Sequence, residues 1–231
     1  MHQIQSELAL RKTAIEERIR AACARAGRQP EEITLIAVTK YSSLADTAEI
    51  AQLGAIHLGE SRWQEARHKW ETIGNQVTWH FIGHLQTNKV KDVIGKFSFI
   101  HSLDRISLAA ELERKAAQLA INVDCLVQIN ISGEQTKYGL QPSELQGFFE
   151  QLRDFPHLRV KGLMTMAPYE APVSEVRSIF RELREWRERM NEQRWTKEPL
   201  YHLSMGMSDD FEIAIEEGAT MIRLGSVLMG K

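Results

Sequence analysis

A lysine closes an apolar, β-branched run: Ile33, Leu35, Ile36, Ala37 and Val38 lead through Thr39 to Lys40. A solvated lysine belongs on a polar face, whereas one at the rim of an apolar pocket can offer its neutral amine for Schiff-base chemistry. Taken by itself, the plainer reading is a strand-end lysine that snorkels to water. Two glycine- and serine-bearing turns near the other end of the chain could meet an anion. Ser204-Met205-Gly206-Met207-Ser208 runs from an apolar segment into a helix start, with backbone N–H groups and hydroxyls available. Arg223-Leu224-Gly225-Ser226 carries a glycine that permits close backbone approach. A small-residue turn explains each motif equally well when it is read alone. His80 and His84 are four apart on an extended segment and its loop, ~13 Å apart, which argues against a metal pair. His80 reads as a core or pocket histidine. Met164, Met166, Met205 and Met207 read as pocket or core packing.

These groups must be positioned by the rest of the chain, which alternates. Helical spacing over residues 4–26 places Ile4, Leu8, Ile15, Ile19 and Ala22 on one face. Eight strand patterns follow, over 33–38, 55–58, 77–82, 97–101, 123–131, 158–164, 200–203 and 221–224. Helical patterns separate them at 42–53, 63–73, 87–94, 104–120, 142–152, 173–194 and 208–217. Asp104 is read as the cap of the helix that runs to Ala120. The dense Arg/Glu face of 173–194 is read as a solvated outer face with i,i+4 pairs. Alternating βα units imply a parallel sheet, and eight in 231 residues imply a closed (β/α)8 barrel of TIM type. The additional N-terminal helix fills the eighth helical place. An open doubly wound sheet is the runner-up. No linker divides the chain, so residues 1–231 are expected to form a single domain.

The composition sets limits on function. Twenty-nine basic and 31 acidic residues give a formal charge of −2, no bulk reason to expect nucleic acid or an anionic membrane as partner. No run approaches the ~18 apolar residues of a membrane span. The N-terminus lacks a secretory core, so a cytoplasmic protein is expected. Cys23 and Cys125 lie far apart and read as small buried residues. No apolar helix face stands out, and a monomer is expected.

In such barrels the chemistry collects at the C-terminal ends of the strands, and a phosphate commonly sits after strands seven and eight. A phosphate site opposite a rim lysine points to a phosphorylated aldehyde held as an imine, pyridoxal 5'-phosphate. A Schiff-base aldolase acting on a sugar phosphate would use the same two elements. Arg223 helps separate them: on the barrel side of the last strand, its guanidinium would face the pyridine nitrogen and weaken the ring as an electron sink. An ordinary salt bridge is the alternative for Arg223.

Five ordered segments then carry a resemblance. AVTKY around Lys40, WHFIGHLQTNKVK from Trp79, KGLMTMAP from Lys161, LSMGMSDDFEIAI from Leu203 and GATMIRLGS from Gly218 resemble the pyridoxal-phosphate homeostasis proteins. That family comprises single-domain barrels related to the N-terminal domain of alanine racemase. The resemblance implies Lys40 as the imine-forming lysine, Ser204, Gly225 and Ser226 around the phosphate, and Arg223 at the pyridine nitrogen. His80, Met164, Met205 and Gly206 are expected to complete the pocket. One departure stands out: the family usually has GEN[RY] after strand two, and this chain has Gly59-Glu60-Ser61-Arg62. The shorter Ser61 replaces the asparagine that approaches the ring. The racemases take a second base from an additional C-terminal β-domain, and this chain ends shortly after Gly225. The expectation is therefore a protein that holds and hands over pyridoxal phosphate, possible recipients being apoenzymes that depend on it, and influences amino-acid and keto-acid balance without turnover. An amino-acid racemase or Schiff-base lyase is the alternative.

Overall fold

The computed structural model describes residues 6–134 and 136–230. Ile4, counted into the first helix on sequence, and Gln135 of the loop after the fifth strand lie outside them. Eight parallel strands close into a barrel in sequence order. They are β1 (Thr34–Val38), β2 (His57–Glu60), β3 (Thr78–Phe81), β4 (Phe99–Leu103), β5 (Val123–Gln128), β6 (Leu158–Met164), β7 (His202–Ser204) and β8 (Met221–Leu224). The seam is made by β8 and β1, with Leu35 opposite Ile222 and Ala37 opposite Leu224.

Helix α1 (Glu7–Arg25) begins where the Ser6 hydroxyl accepts from the Ala9 N–H at 3.2 Å. It buries Leu8, Ile15, Ile19, Ala22 and Cys23, packing against α8 (Phe211–Glu216) and α9 (Ser226–Met229) and so taking the eighth outer place. The others are α2 (Leu44–Gln52), α3 (Trp63–Ile73), α4 (Val90–Val93), α5 (Ile106–Leu119), α6 (Leu145–Leu152) and α7 (Val173–Glu192). Both cysteines are buried and free.

Alternation along the strands divides the interior into two layers. Ala37, Leu58, Trp79, Ile100, Val127, Leu163, Leu203 and Ile222 point outward into the layer beneath the helices. Each such buried large side chain contributes about 1.5–3 kcal/mol by leaving water. Inside the barrel a smaller apolar cluster of Ile36, Leu126, Met164 and Met221 packs with Phe99 and Met166.

Several sequence-based boundaries shift. β2, β4 and β7 start about two residues later than their apolar runs, which carries Gly59 and Glu60 inside β2. Asp104 does not cap α5: Arg105 holds the N-cap position, and Asp104 instead pairs with Arg105 at 2.5 Å and lies 3.5 Å from His84. The α7 face is only partly solvated, because Arg177, Arg181 and Arg184 reach across to Glu217 at 3.1, 3.3 and 3.2 Å. The four-residue α9 is too short for a helical period to reveal.

Candidate functional site

Lys40 follows the end of β1, and its side chain is half-buried. Its Nζ lies over the Tyr41 ring, 5.0 Å from the centroid. It lines a cavity of about 280 Å³ with Tyr41, Ser61, Arg62, Glu65, Gly83 and His84. Gly83 is required here, since a Cβ at that position would collide with the Ser61 backbone. Ser61, standing where the resembling family has asparagine, is therefore held at the cavity wall by close approach of the loops after β2 and β3.

The position of Lys40 is set from behind. Thr39 points outward, and its hydroxyl donates to Glu60 Oε1 at 2.7 Å. Lys69 of α3 donates to the same carboxylate oxygen at 2.9 Å and to the Thr39 carbonyl at 2.6 Å. Thr39, Glu60 and Lys69 are all buried, so the peptide linking Thr39 to Lys40 is tied to a desolvated ion pair. Sequence reading missed this cluster: Glu60 and Lys69 look like ordinary polar residues of a turn and a helix.

Gly206, Gly225 and Ser226 gather on the same rim. Gly225 lies beside Val38, the residue two before Lys40, so the β8 turn flanks the lysine rather than standing opposite. Gly206 has φ +92°, and an added Cβ would come within 2.6 Å of Ala214. The Val227 N–H donates to Ser208 Oγ at 3.3 Å, which draws the β7 and β8 turns together. Ser208, on sequence only the end of the SMGMS motif, thus stands next to Ser226.

Below this rim the barrel is polar. Arg223 points inward and is 4% exposed; Nη1 donates to Ser204 Oγ at 2.7 Å and Nη2 to the Thr165 carbonyl at 3.1 Å. No salt bridge to Arg223 is present among the described residues. Burial pushes its guanidinium down to about 10, while Asp210 acts the other way. Ser204 Oγ is also 2.9 Å from His101 Nδ1, His101 Nε2 is 2.9 Å from His80 Nδ1, and His80 Nε2 is 2.9 Å from His57 Nδ1. Burial lowers His80 to about 3, with His57 and His202 adding to the effect, and takes His101 well below the ordinary range.

The ten residues singled out on sequence therefore separate by depth. Lys40 and Ser61 line the cavity, and Gly206, Gly225 and Ser226 form the neighbouring turns. Arg223 and Ser204 lie beneath, with the Ser204 hydroxyl engaged by His101 and Arg223. His80 is deeper still, and Met164 belongs to the inner apolar cluster. The Met205 side chain is packed in the outer layer between sheet and helices, because it follows inward-facing Ser204 by one residue.

A parallel eight-stranded barrel with a rim lysine on the first strand and glycine-serine turns after the last two defines a class. The chain belongs to the family described as alanine racemase, N-terminal domain, whose model matches residues 10–231. Within it, the chain is 44% identical over 222 residues to the pyridoxal phosphate homeostasis protein of Aquifex aeolicus, covering 96% of each. The structure of PipY from Synechococcus elongatus with PLP bound is similar at a TM-score of 0.81 and 34% identity, over 94% of this chain and 100% of that one. An alanine racemase from Clostridium difficile shares the fold at a TM-score of 0.75 and 16% identity, over 96% of this chain and 56% of its own.

Proposed function

We propose that this protein binds pyridoxal 5'-phosphate at the barrel mouth, anchored covalently through Lys40, and serves to hold and release it. The observation that carries the reading is a lysine amine that has no hydrogen-bond or ion-pair partner among the described residues, beside two turns suited to a phosphate. Bound there, the cofactor supplies an aldehyde that condenses with a primary amine.

The residues fit the group. Lys40 offers the amine from a cavity open to solvent. The Gly206 and Gly225 backbones, with the Ser208 and Ser226 hydroxyls, would bind the phosphate. Arg223 keeps three of its five N–H donors free of protein partners and would donate one to the pyridine nitrogen. A cation at that nitrogen keeps it unprotonated and limits its electron-withdrawing power. That property, the open mouth and the homeostasis naming of relatives together favour custody of the cofactor over turnover.

Borohydride reduction of the loaded protein followed by peptide mass spectrometry tests the anchor. A phosphopyridoxyl adduct on Lys40, absent from Lys40→Ala, is expected; adducts scattered over surface lysines would overturn the reading. Incubation of the loaded protein with alanine or serine in deuterium oxide tests custody. Exchange at Cα no faster than with free pyridoxal phosphate is expected, and Lys40-dependent exchange would instead establish an enzyme.

A further inference from the structure

Arg223 is a buried cation with no carboxylate in ion-pair contact among the described residues, and something else must offset its charge. The strands that face it inward carry His101 on β4, His80 on β3, His57 on β2 and Ser204 and His202 on β7, and the charge of Asp210, beyond β7, also acts on it. We infer that His57, His80, His101 and Ser204 form a one-directional hydrogen-bond file whose imidazole Nδ1 atoms all lie toward the Arg223 end, so that the file stands where a counter-ion to the guanidinium would otherwise be.

The direction follows from donor and acceptor accounting. A guanidinium only donates, so Ser204 Oγ accepts from Arg223. The hydroxyl proton of Ser204 then has one acceptor within reach, His101 Nδ1 at 2.9 Å. Were that nitrogen protonated, a fully buried hydroxyl would lose its acceptor, an unfavourable arrangement away from water. His101 therefore carries its proton on Nε2 and donates to His80 Nδ1, and His80 Nε2 donates in turn to His57 Nδ1. The file ends at His57 Nε2–H, on the partly exposed first residue of β2. Burial keeps His80 and His101 neutral, which the accounting requires.

Each imidazole thus turns the negative end of its dipole toward the cation. A carboxylate at Ser204 or His101 would offset the charge more strongly but would also compete for the donors that a ligand needs. Three aligned neutral rings stabilise the charge and leave those donors free. His101 and Ser204 are then positioning residues for Arg223. Their effect on cofactor binding rests on the reading above; the direction of the file does not.

Long-range ¹H–¹⁵N spectra of ligand-free, ¹⁵N-histidine-labelled protein at pH 7 test the direction without any variant. His57, His80 and His101 are all expected as neutral Nε2–H tautomers; an Nδ1–H tautomer or an imidazolium at any of the three overturns the file. His101→Gln keeps the order, its Oε1 accepting from Ser204 and its amide donating to His80, whereas His101→Leu breaks it. In His101→Leu the single tautomer of His80 is expected to give way to a mixture. Its dissociation constant for pyridoxal phosphate should rise roughly tenfold, about the worth of one hydrogen bond, and His101→Gln should restore it. Equal weakening by Gln and Leu overturns the positioning role. Ser204→Ala, a smaller change, gives the same reading if His101→Leu fails to fold, with mixed tautomers expected at His101. Correct tautomers without a Lys40 adduct would remove the cofactor reading and leave the file standing.

Discussion

Two lysines meet the same stretch of backbone from opposite sides of the sheet. Lys69 comes from α3 behind it, buried, with its ammonium given to the Thr39 carbonyl and the Glu60 carboxylate. Lys40 stands in front, half-buried, with its Nζ over the Tyr41 ring and no hydrogen-bond or ion-pair partner among the described residues. Both are lysines close to apolar surroundings, so residue type and burial alone do not distinguish them. The difference lies in spent donors: a lysine whose ammonium is given to a carbonyl and a carboxylate is part of the scaffold, and one with no such partner among the described residues is available for chemistry. The scaffold lysine also serves the other, since it holds the carbonyl one residue before Lys40.

The comparison breaks most sharply at Lys40 itself. Lys40→Ala is expected to abolish the reduced cofactor adduct completely while shifting stability by no more than about 0.5 kcal/mol, measured by denaturant unfolding. Lys69→Met should do the reverse, lowering stability by about 3–5 kcal/mol because Glu60 is left charged and buried, with the adduct still on Lys40. Lys69→Met/Glu60→Leu should recover most of that loss. A Lys69→Met protein that is stable but no longer labelled would show that the two lysines are not divided in this way.

Acid should strain the barrel interior through its buried histidines. Burial holds His80 at about 3 against an ordinary 6.5, and lowers His57 and His101 for the same reason. Below about pH 6.5 the unfolded chain binds protons that the folded chain refuses. Stability is thus fully present above pH 6.5 and falls as the pH drops from there toward about 3. Each fully neutral histidine contributes a slope of about 1.4 kcal/mol per pH unit in that window. Urea midpoints between pH 7 and 4 check this, and His80→Phe should flatten the slope. A smaller effect is expected from Arg223→Lys, whose point charge cannot span Ser204 and the Thr165 carbonyl together: roughly tenfold weaker cofactor retention. Smallest is Tyr41→Leu, which removes a partly exposed cation–π contact worth about 0.5–1 kcal/mol and should alter labelling of Lys40 only a few-fold.

The barrel was legible because βα alternation repeats eight times, and each repetition reinforces the same topology. Lys40 and inward-facing Arg223 were legible from strand ends and side-chain parity. Met205, read on sequence as pocket or core packing, has its side chain in the outer layer, because it follows inward-facing Ser204 by one residue. The histidine file could not be read from any local window, since its members come from four strands and meet only through the register around the barrel. A signal was nevertheless present, in inward histidines recurring at intervals of 23 and 21 residues, about one βα unit each. The Thr39–Glu60–Lys69 cluster had no such signal, because a helix residue and a strand residue meet there through packing alone.

The seam between β1 and β8 joins residues that lie almost at opposite ends of the described chain. Lys40 extends from one side of it and Gly225 from the other. Contacts of such long sequence separation form late in folding, after most of the chain has lost its freedom. The rim that brings an amine beside the glycine-serine turns therefore comes into being only when the ring of strands closes. A partly folded chain would present the lysine without the turns, as one more surface amine with no claim on the cofactor.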